Sequence, residues 1–144
     1  MPIVTVMTWS GSSNDYNNPG SWDIFDVPSQ PIDIALFNTS TVANLLINGS
    51  NFTVGEWIFN SATPQYSFTM GPNITLLGFA GEGIVGGSPI ITMTSQSILF
   101  FYNSSTAGSA VIADNGNVLF EGKSTAAPLT SQITRCFIFM STVP

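Results

Sequence analysis

Three aspartates near the start of the chain form its densest acidic group: Asp23, Asp26 and Asp33. Paired carboxylates can act as the general acid and base that cleave a glycosidic bond, and clustered carboxylates can bind calcium. Elimination beside a uronate carboxylate needs a basic residue, and the chain has only Lys123 and Arg135. Asx turns explain the first two aspartates equally well, and we favour that interpretation. No metal site is therefore predicted.

Three tryptophans are the next candidates for binding. Trp9, Trp22 and Trp57 could form a platform on which sugar rings stack, as exposed aromatic residues do in carbohydrate-binding modules. The alternative is that they cover the end of the hydrophobic core. We keep all three as binding candidates and favour the covering role.

The rarest residue types limit the available chemistry. The chain contains no histidine, which removes Ser-His-Asp and Cys-His nucleophiles and histidine-ligated zinc. Its single cysteine, Cys136, excludes an internal disulfide and a thiolate cluster. We therefore favour a non-enzymatic role without a cofactor.

One glycine-rich stretch matches the pattern G-x-G-x-x-G of dinucleotide-binding sites. It runs from Gly81 to Gly86, after a predicted strand. A dinucleotide site requires a helix to begin there, because the helix N-terminus binds the pyrophosphate. A Gly-Ser-Pro sequence and a β-branched run follow instead, so we predict a glycine-rich turn.

Charge excludes two classes of partner. Two basic residues against eight acidic ones give a net charge of −6, so we expect neither nucleic acid nor an anionic membrane surface as partner. The opening residues lack the positively charged and long apolar regions of a signal peptide, and no run of about 18 apolar residues could span a bilayer. We expect no membrane insertion.

Short apolar runs dominate the chain, and helical periodicity is nearly absent. Each run is rich in Ile, Val, Leu, Phe or Thr and is closed by Gly, Asn, Pro or Ser, which predicts an all-β protein. The predicted strands are 34–37, 45–47, 52–59, 66–70, 74–79, 90–93, 98–102, 110–112 and 118–120.

A short phrase recurs along the chain. Phe101, followed by Tyr-Asn-Ser-Ser-Thr-Ala, returns nineteen positions later as Phe120, followed by Glu-Gly-Lys-Ser-Thr-Ala. A period near twenty residues indicates a solenoid, in which each coil buries its apolar side against the coils above and below. Small residues and Asn suit the corners of such coils. We therefore predict a parallel β-helix with few coils, in preference to a β-sandwich or a barrel.

The opening segment has a characteristic set of residues: Trp9, Asp15, Trp22, Val27, Pro28, Asp33 and Phe37. In these residues it resembles the entry region of bacterial autotransporter passenger domains, which precedes autotransporter-associated β-strand repeats. The phrases at 54–59, 75–79 and 81–84 are similar to the strand phrases of those repeats. This resemblance implies a right-handed parallel β-helix, secreted or on the cell surface, that acts as a stalk or an adhesin-like surface.

The last eighteen residues depart from the repeat. They contain the only arginine and the only cysteine, and a reading frame shifted by two bases from Ala126 permits the repeat to continue at most positions. We predict a frameshift that truncates a longer passenger, with a divergent last coil as the alternative. The predicted division is an entry segment 1–33, β-helix repeats 34–126 and an off-pattern tail 127–144.

Two functions follow from these patterns. The first is a non-enzymatic β-solenoid with a structural or adhesive role, which contacts carbohydrate or a host surface and pairs with a second copy through the exposed C-terminal coil. The second is a carbohydrate-active β-helix, either a polysaccharide hydrolase or lyase or a sugar-binding module. A groove lined by pairs of acidic residues and by aromatic residues would favour the second.

Overall fold

The computed structural model describes residues 3–60, 64–114 and 116–125. Within them lie ten β-strands and one short 3-10 helix at Pro19–Ser21. The strands are β1 Val6–Thr8, β2 Ile34–Phe37, β3 Asn44–Ile47, β4 Asn51–Phe59, β5 Ser67–Met70, β6 Thr75–Val85, β7 Ile90–Met93, β8 Ser97–Phe101, β9 Val111–Asp114 and β10 Asn117–Phe120.

All the strand ladders are parallel and connect successive coils, so the chain is a β-solenoid of about four turns. The parallel β-helix predicted from the repeat is confirmed. The first face contains β1, β2 and the second halves of β4 and β6. The second face contains β3, β5, β7 and β9, and the third contains the first halves of β4 and β6 with β8 and β10.

The recurring phrase occupies equivalent positions in two successive coils. Phe101 lies in register with Phe120, and Thr106 forms a parallel bridge with Thr125, so that both pairs are nineteen positions apart. Because the strand period is two, this register places each phenylalanine on the inward side. The spacing in the sequence is therefore the length of one coil at this end of the solenoid.

Aromatic side chains fill the core in stacks that run from coil to coil. On the third face Phe79 stacks on Phe101, with ring centroids 5.2 Å apart, and Phe101 stacks on Phe120 at 4.9 Å. Trp57 stacks on Phe68 at 4.3 Å across the interior. All five side chains are buried. Their burial supplies the apolar contact between coils that a solenoid requires.

Glycines mark the corner between the third and first faces. The register of β4 shifts between Val54 and Glu56, which turns the strand around Gly55. A Cβ atom on Gly81 would lie 2.7 Å from the carbonyl oxygen of Gly55, and one on Gly83 would lie 2.2 Å from that of Thr106. Backbones of neighbouring coils therefore approach more closely here than a side chain permits.

This corner changes the prediction for the glycine-rich stretch. The sequence predicts a turn from Gly81 to Gly86, but the residues through Val85 belong to the long strand β6. The turn is confined to Gly86 and Gly87, which both have positive φ. Gly81 and Gly83 allow the bent strand to pack closely on the neighbouring backbone, whereas Gly86 and Gly87 allow the turn.

The N-terminal segment covers the first coil. Its strand β1 pairs with β2, and Tyr16 donates its backbone N–H to the carbonyl oxygen of Leu46 on β3 at 3.1 Å. Tyr16 also stacks on Phe52, with ring centroids 5.3 Å apart. These contacts cover strand edges and core side chains that the first full coil would otherwise expose. The off-pattern tail at 127–144 lies outside the described residues, and so does any contact that it makes.

Candidate functional site

The three candidate aspartates each accept hydrogen bonds from different backbone N–H groups. Asp23 accepts a hydrogen bond from the backbone N–H of Thr8 at 2.9 Å, next to the edge of β1. Asp26 accepts one from the backbone N–H of Val27 at 2.9 Å. Asp23 bonds to a residue fifteen positions away and Asp26 to its immediate neighbour, so neither bond is the contact two residues on that an Asx turn makes. Both carboxylates are exposed.

Asp33 differs from the other two because it is buried, with 5% of its surface exposed. Its Oδ2 atom accepts the backbone N–H groups of Ser29 at 3.0 Å and Gln30 at 2.9 Å. Its carbonyl oxygen accepts the N–H of Gly55 at 2.8 Å, where β4 turns its corner. Among the residues that the structure describes, no group of three acidic, cysteine or histidine side chains is placed to hold a metal ion.

The three tryptophans lie inside the N-terminal end of the solenoid. Trp9, Trp22 and Trp57 are exposed by 3%, 1% and 0% of their surface. The indole N–H of Trp9 donates to the carbonyl oxygen of Val42 at 2.9 Å. That of Trp22 donates to the carbonyl oxygen of Tyr16 at 2.8 Å, and that of Trp57 donates to the Tyr16 hydroxyl at 3.3 Å. A sugar ring cannot stack on an indole that protein covers, so a sugar-stacking platform does not fit this arrangement.

Polar side chains form a strip along the second face. The Ser67 hydroxyl on β5 donates to the side-chain oxygen of Asn44 on β3, with which Ser67 is in register. Thr69 lies directly in register with Thr92. Neighbouring strands are about 4.8 Å apart, so each of the two pairs holds its polar groups at about that spacing. We call these four residues the polar strip.

Asparagines at the coil corners are used mainly to join coils. Asn73 donates its backbone N–H to the side-chain oxygen of Asn48 at 2.8 Å. The side-chain amide of Asn103 donates to the carbonyl oxygen of Ala80 at 2.8 Å. These bonds satisfy backbone groups where the strand ladders are interrupted.

A groove of about 300 Å³ crosses several coils on the first face, beside the glycine corner. It follows a column in which Val6 lies in register with Ile34, Ile34 with Glu56, and Glu56 with Gly83. Its walls are apolar toward the N-terminal end and acidic in the next coils. We call it the acidic groove; it is lined by Val4, Pro31, Ile32, Ile34, Gly55, Glu56, Ala80, Gly81 and Glu82.

Two carboxylates from adjacent coils interact in the acidic groove. Burial, and then the negative charge of Glu82, raise the pKa of the Glu56 carboxyl above its ordinary value. Glu56 is half-buried on β4, whereas Glu82 is exposed on β6. The nearby like charge disfavours the ionised form of the Glu56 carboxyl.

This carboxylate pair is absent from the sequence-based candidates, which were chosen because they are close along the chain. Glu56 and Glu82 are twenty-six positions apart and come together only because one coil stacks on the next. The available signal is the dipeptide Gly-Glu at 55–56, which recurs at 81–82. Recurrence at the length of a coil, and not proximity along the chain, identifies neighbours in a solenoid.

A second cleft, of about 210 Å³, lies near the corner between the first and second faces. Tyr66 in its wall donates its hydroxyl to the carbonyl oxygen of Asn38, and Gln65 donates to the carbonyl oxygen of Ser88 at 3.1 Å. Burial raises the pKa of the Tyr66 hydroxyl. These polar groups hydrogen-bond neighbouring coils to each other, which accounts for their presence in the cleft without a ligand.

Comparisons with family models, with curated proteins and with solved structures found no match to this chain. In the part of the chain that the structure describes, no helix is long and apolar enough to cross a membrane.

Proposed function

We propose that the chain is a non-enzymatic β-solenoid, secreted or on the cell surface, with a structural or adhesive role in an autotransporter-like passenger. The observation that carries the proposal is the polar strip. It presents two pairs of outward polar groups, Asn44 with Ser67 and Thr69 with Thr92, at the strand spacing, which suits weak multivalent contacts with carbohydrate or a host surface.

Bead adhesion tests this proposal. Beads that carry the purified chain should adhere to epithelial cells or immobilised glycans more than beads that carry an unrelated acidic protein. The double substitution Thr69→Val and Thr92→Val removes two hydroxyls while preserving β-branched side chains, and we expect it to weaken adhesion.

The matched control is Thr53→Val, which removes a hydroxyl from the third face. It should leave adhesion unchanged, and all the variants should keep the far-ultraviolet circular dichroism of the wild type. Adhesion no greater than that of the unrelated protein would refute the adhesive role.

A second function, a carbohydrate-active β-helix, is favoured by the acidic groove. Two carboxylates of different environment can divide the roles of general acid and general base, and the raised pKa of Glu56 makes it the better candidate for the acid. The residues that line the groove include no aromatic side chain, whereas sugar-binding sites commonly present one. We therefore place this function second.

Release of reducing ends from pectin, alginate and xylan separates the two functions. The non-enzymatic proposal expects no turnover. Turnover that is lost in Glu56→Gln and in Glu82→Gln, but is kept in Asp23→Asn and Asp26→Asn, would establish the second function and assign it to the groove. Loss of activity in the aspartate variants would assign catalysis to the N-terminal segment instead.

A further inference from the structure

Apolar side chains are unusually exposed at the N-terminal end of the solenoid. Of the seven large apolar side chains that the structure shows exposed, six lie within residues 3–32. Val4 is exposed by 55% and Ile32 by 38%, and both line the acidic groove. Val6, exposed by 47%, continues the same column on β1. Exposed apolar side chains that adjoin a groove are typical of a protein interaction surface.

The inner end of the groove, whose described lining includes no basic side chain, carries negative charge. Glu56 and Glu82 supply it, and Lys123, the sole basic residue among those that the structure describes, is not part of the groove lining. The pKa of Glu56 is raised by burial and by Glu82, which is the effect expected when a carboxylate lacks a positive partner. A cation in the groove would favour the ionised form of Glu56 and offset the repulsion from Glu82.

We propose that the acidic groove binds a segment of a partner protein that presents a basic residue close to an apolar one. The basic residue lies between Glu56 and Glu82, and the apolar residue lies against Val4 and Ile32. Arginine suits the acidic end because its planar fork donates to two carboxylate oxygens at once.

The spacing of the groove limits the partner further. Neighbouring strands are about 4.8 Å apart, so the apolar end and the acidic end, two coils apart, are separated by about 10 Å. A polyproline II segment rises about 3.1 Å per residue with three residues per turn, which places residues i and i+3 on one side about 9 Å apart. An apolar residue followed by arginine three positions later therefore fits the groove.

Charge argues against a second copy of this chain as the occupant. The chain has a net charge of −6, and its own basic residues number two. A second copy would bring further negative charge to the acidic end, which is unfavourable without salt. The partner is therefore a basic protein segment.

Fluorescence anisotropy with a labelled peptide that contains Ile-Pro-Pro-Arg tests the proposal. Two control peptides replace arginine with citrulline, which is neutral, or isoleucine with serine. We expect the arginine peptide to bind about tenfold more tightly than the citrulline peptide, because it gains two charged contacts. The preference should shrink between about 25 mM and about 300 mM NaCl, because salt screens exposed charges.

Variants of the chain locate the binding. Glu56→Gln combined with Glu82→Gln should remove the preference for arginine over citrulline, whereas the matched control Glu121→Gln should preserve it. Val4→Ser should weaken the isoleucine peptide but not the serine peptide. Equal affinity for arginine and citrulline, or a preference that survives the double substitution, would overturn the proposal.

Sedimentation of the chain without peptide tests whether a second copy of the chain occupies the groove. A monomer at high concentration agrees with a groove open to a partner. A dimer that Val4→Asp dissociates would assign the groove to a second copy and would also overturn the proposal. Neither result depends on the adhesion assay, because the polar strip lies on a different face.

Discussion

Replacing Phe101 with alanine removes the middle ring of a stack that joins three coils. Its ring lies between those of Phe79 and Phe120, with centroid distances of 5.2 and 4.9 Å and interplanar angles of 12° and 9°. The side chain is completely buried on the inward side of β8. The substitution leaves a cavity that the rigid ladders on either side cannot close.

The cost follows from burial and cavity formation. Replacing a buried phenylalanine by alanine typically reduces the free energy of unfolding by about 3–5 kcal/mol, which includes the lost ring contacts. At roughly 3–4 °C per kcal/mol for a chain of this size, the melting temperature should fall by roughly 10–20 °C. Because coils of a solenoid contact only their neighbours, the C-terminal coils should lose amide protection first.

Phe100→Ala is the matched control because it removes the same side chain from the same strand. Phe100 is half-buried on the outward side and stacks on Tyr102 at 5.2 Å, so we expect a loss of only about 1 kcal/mol. Urea unfolding and hydrogen exchange measure both variants. Equal losses, or a larger loss for Phe100→Ala, would refute the register, because a slip of one residue exchanges the two faces.

Three further predictions concern the glycine corner and the carboxylates. Folded Glu56 holds its proton to higher pH than the unfolded chain does, because burial and Glu82 raise its pKa, so native stability falls as pH rises through that pKa. In urea unfolding near neutral pH, Glu56→Gln should therefore be more stable than the wild type. The difference should be less than about 1 kcal/mol, because the side chain is largely solvated. Below about pH 4.5 the two proteins should be equally stable. Gly83→Ala should lower the melting temperature strongly, for two reasons. The backbone φ of +90° costs an alanine about 1–2 kcal/mol of strain. The added Cβ atom would also lie 2.2 Å from the carbonyl oxygen of Thr106, a clash that costs about 1–3 kcal/mol. Asp33→Ala should cost about 1–3 kcal/mol in urea unfolding, because it leaves two backbone N–H groups of a turn without their acceptor.

Each of these predictions has a control in the same chain. Gly49→Ala has the same strain, with φ of +67°, but its Cβ would lie 3.9 Å from the nearest atom, so it should cost about 1–2 kcal/mol only. Asp26→Ala removes an exposed carboxylate and should cost less than Asp33→Ala. Glu121→Gln should not reproduce the pH dependence of Glu56→Gln. An equal effect in any control contradicts the corresponding argument.

The sequence by itself determined the architecture of the repeated part. The phrase at Phe101 recurs at Phe120, and the structure places these residues in register, so one coil contains nineteen residues at that end. Short β-branched and aromatic runs gave the strand positions at 34–37 and 90–93 without error. Such patterns are readable because inward positions of a strand must be apolar and corners need small residues or Asn, whatever the partner coil is.

Only the tertiary structure decided which distant residues meet. Coil length varies along the solenoid: Ile98 to Asn117 is 117 − 98 = 19 positions, whereas Glu56 to Gly83 is 83 − 56 = 27. Corner loops and the bent strand β6 absorb the difference, so a period measured at one end does not give the register at the other. Glu56 and Glu82 therefore line the same acidic groove, while the aspartates that are close in sequence bond to different backbone groups. Chain proximity determines local turns, but stacking of coils of unequal length determines the sites on the surface.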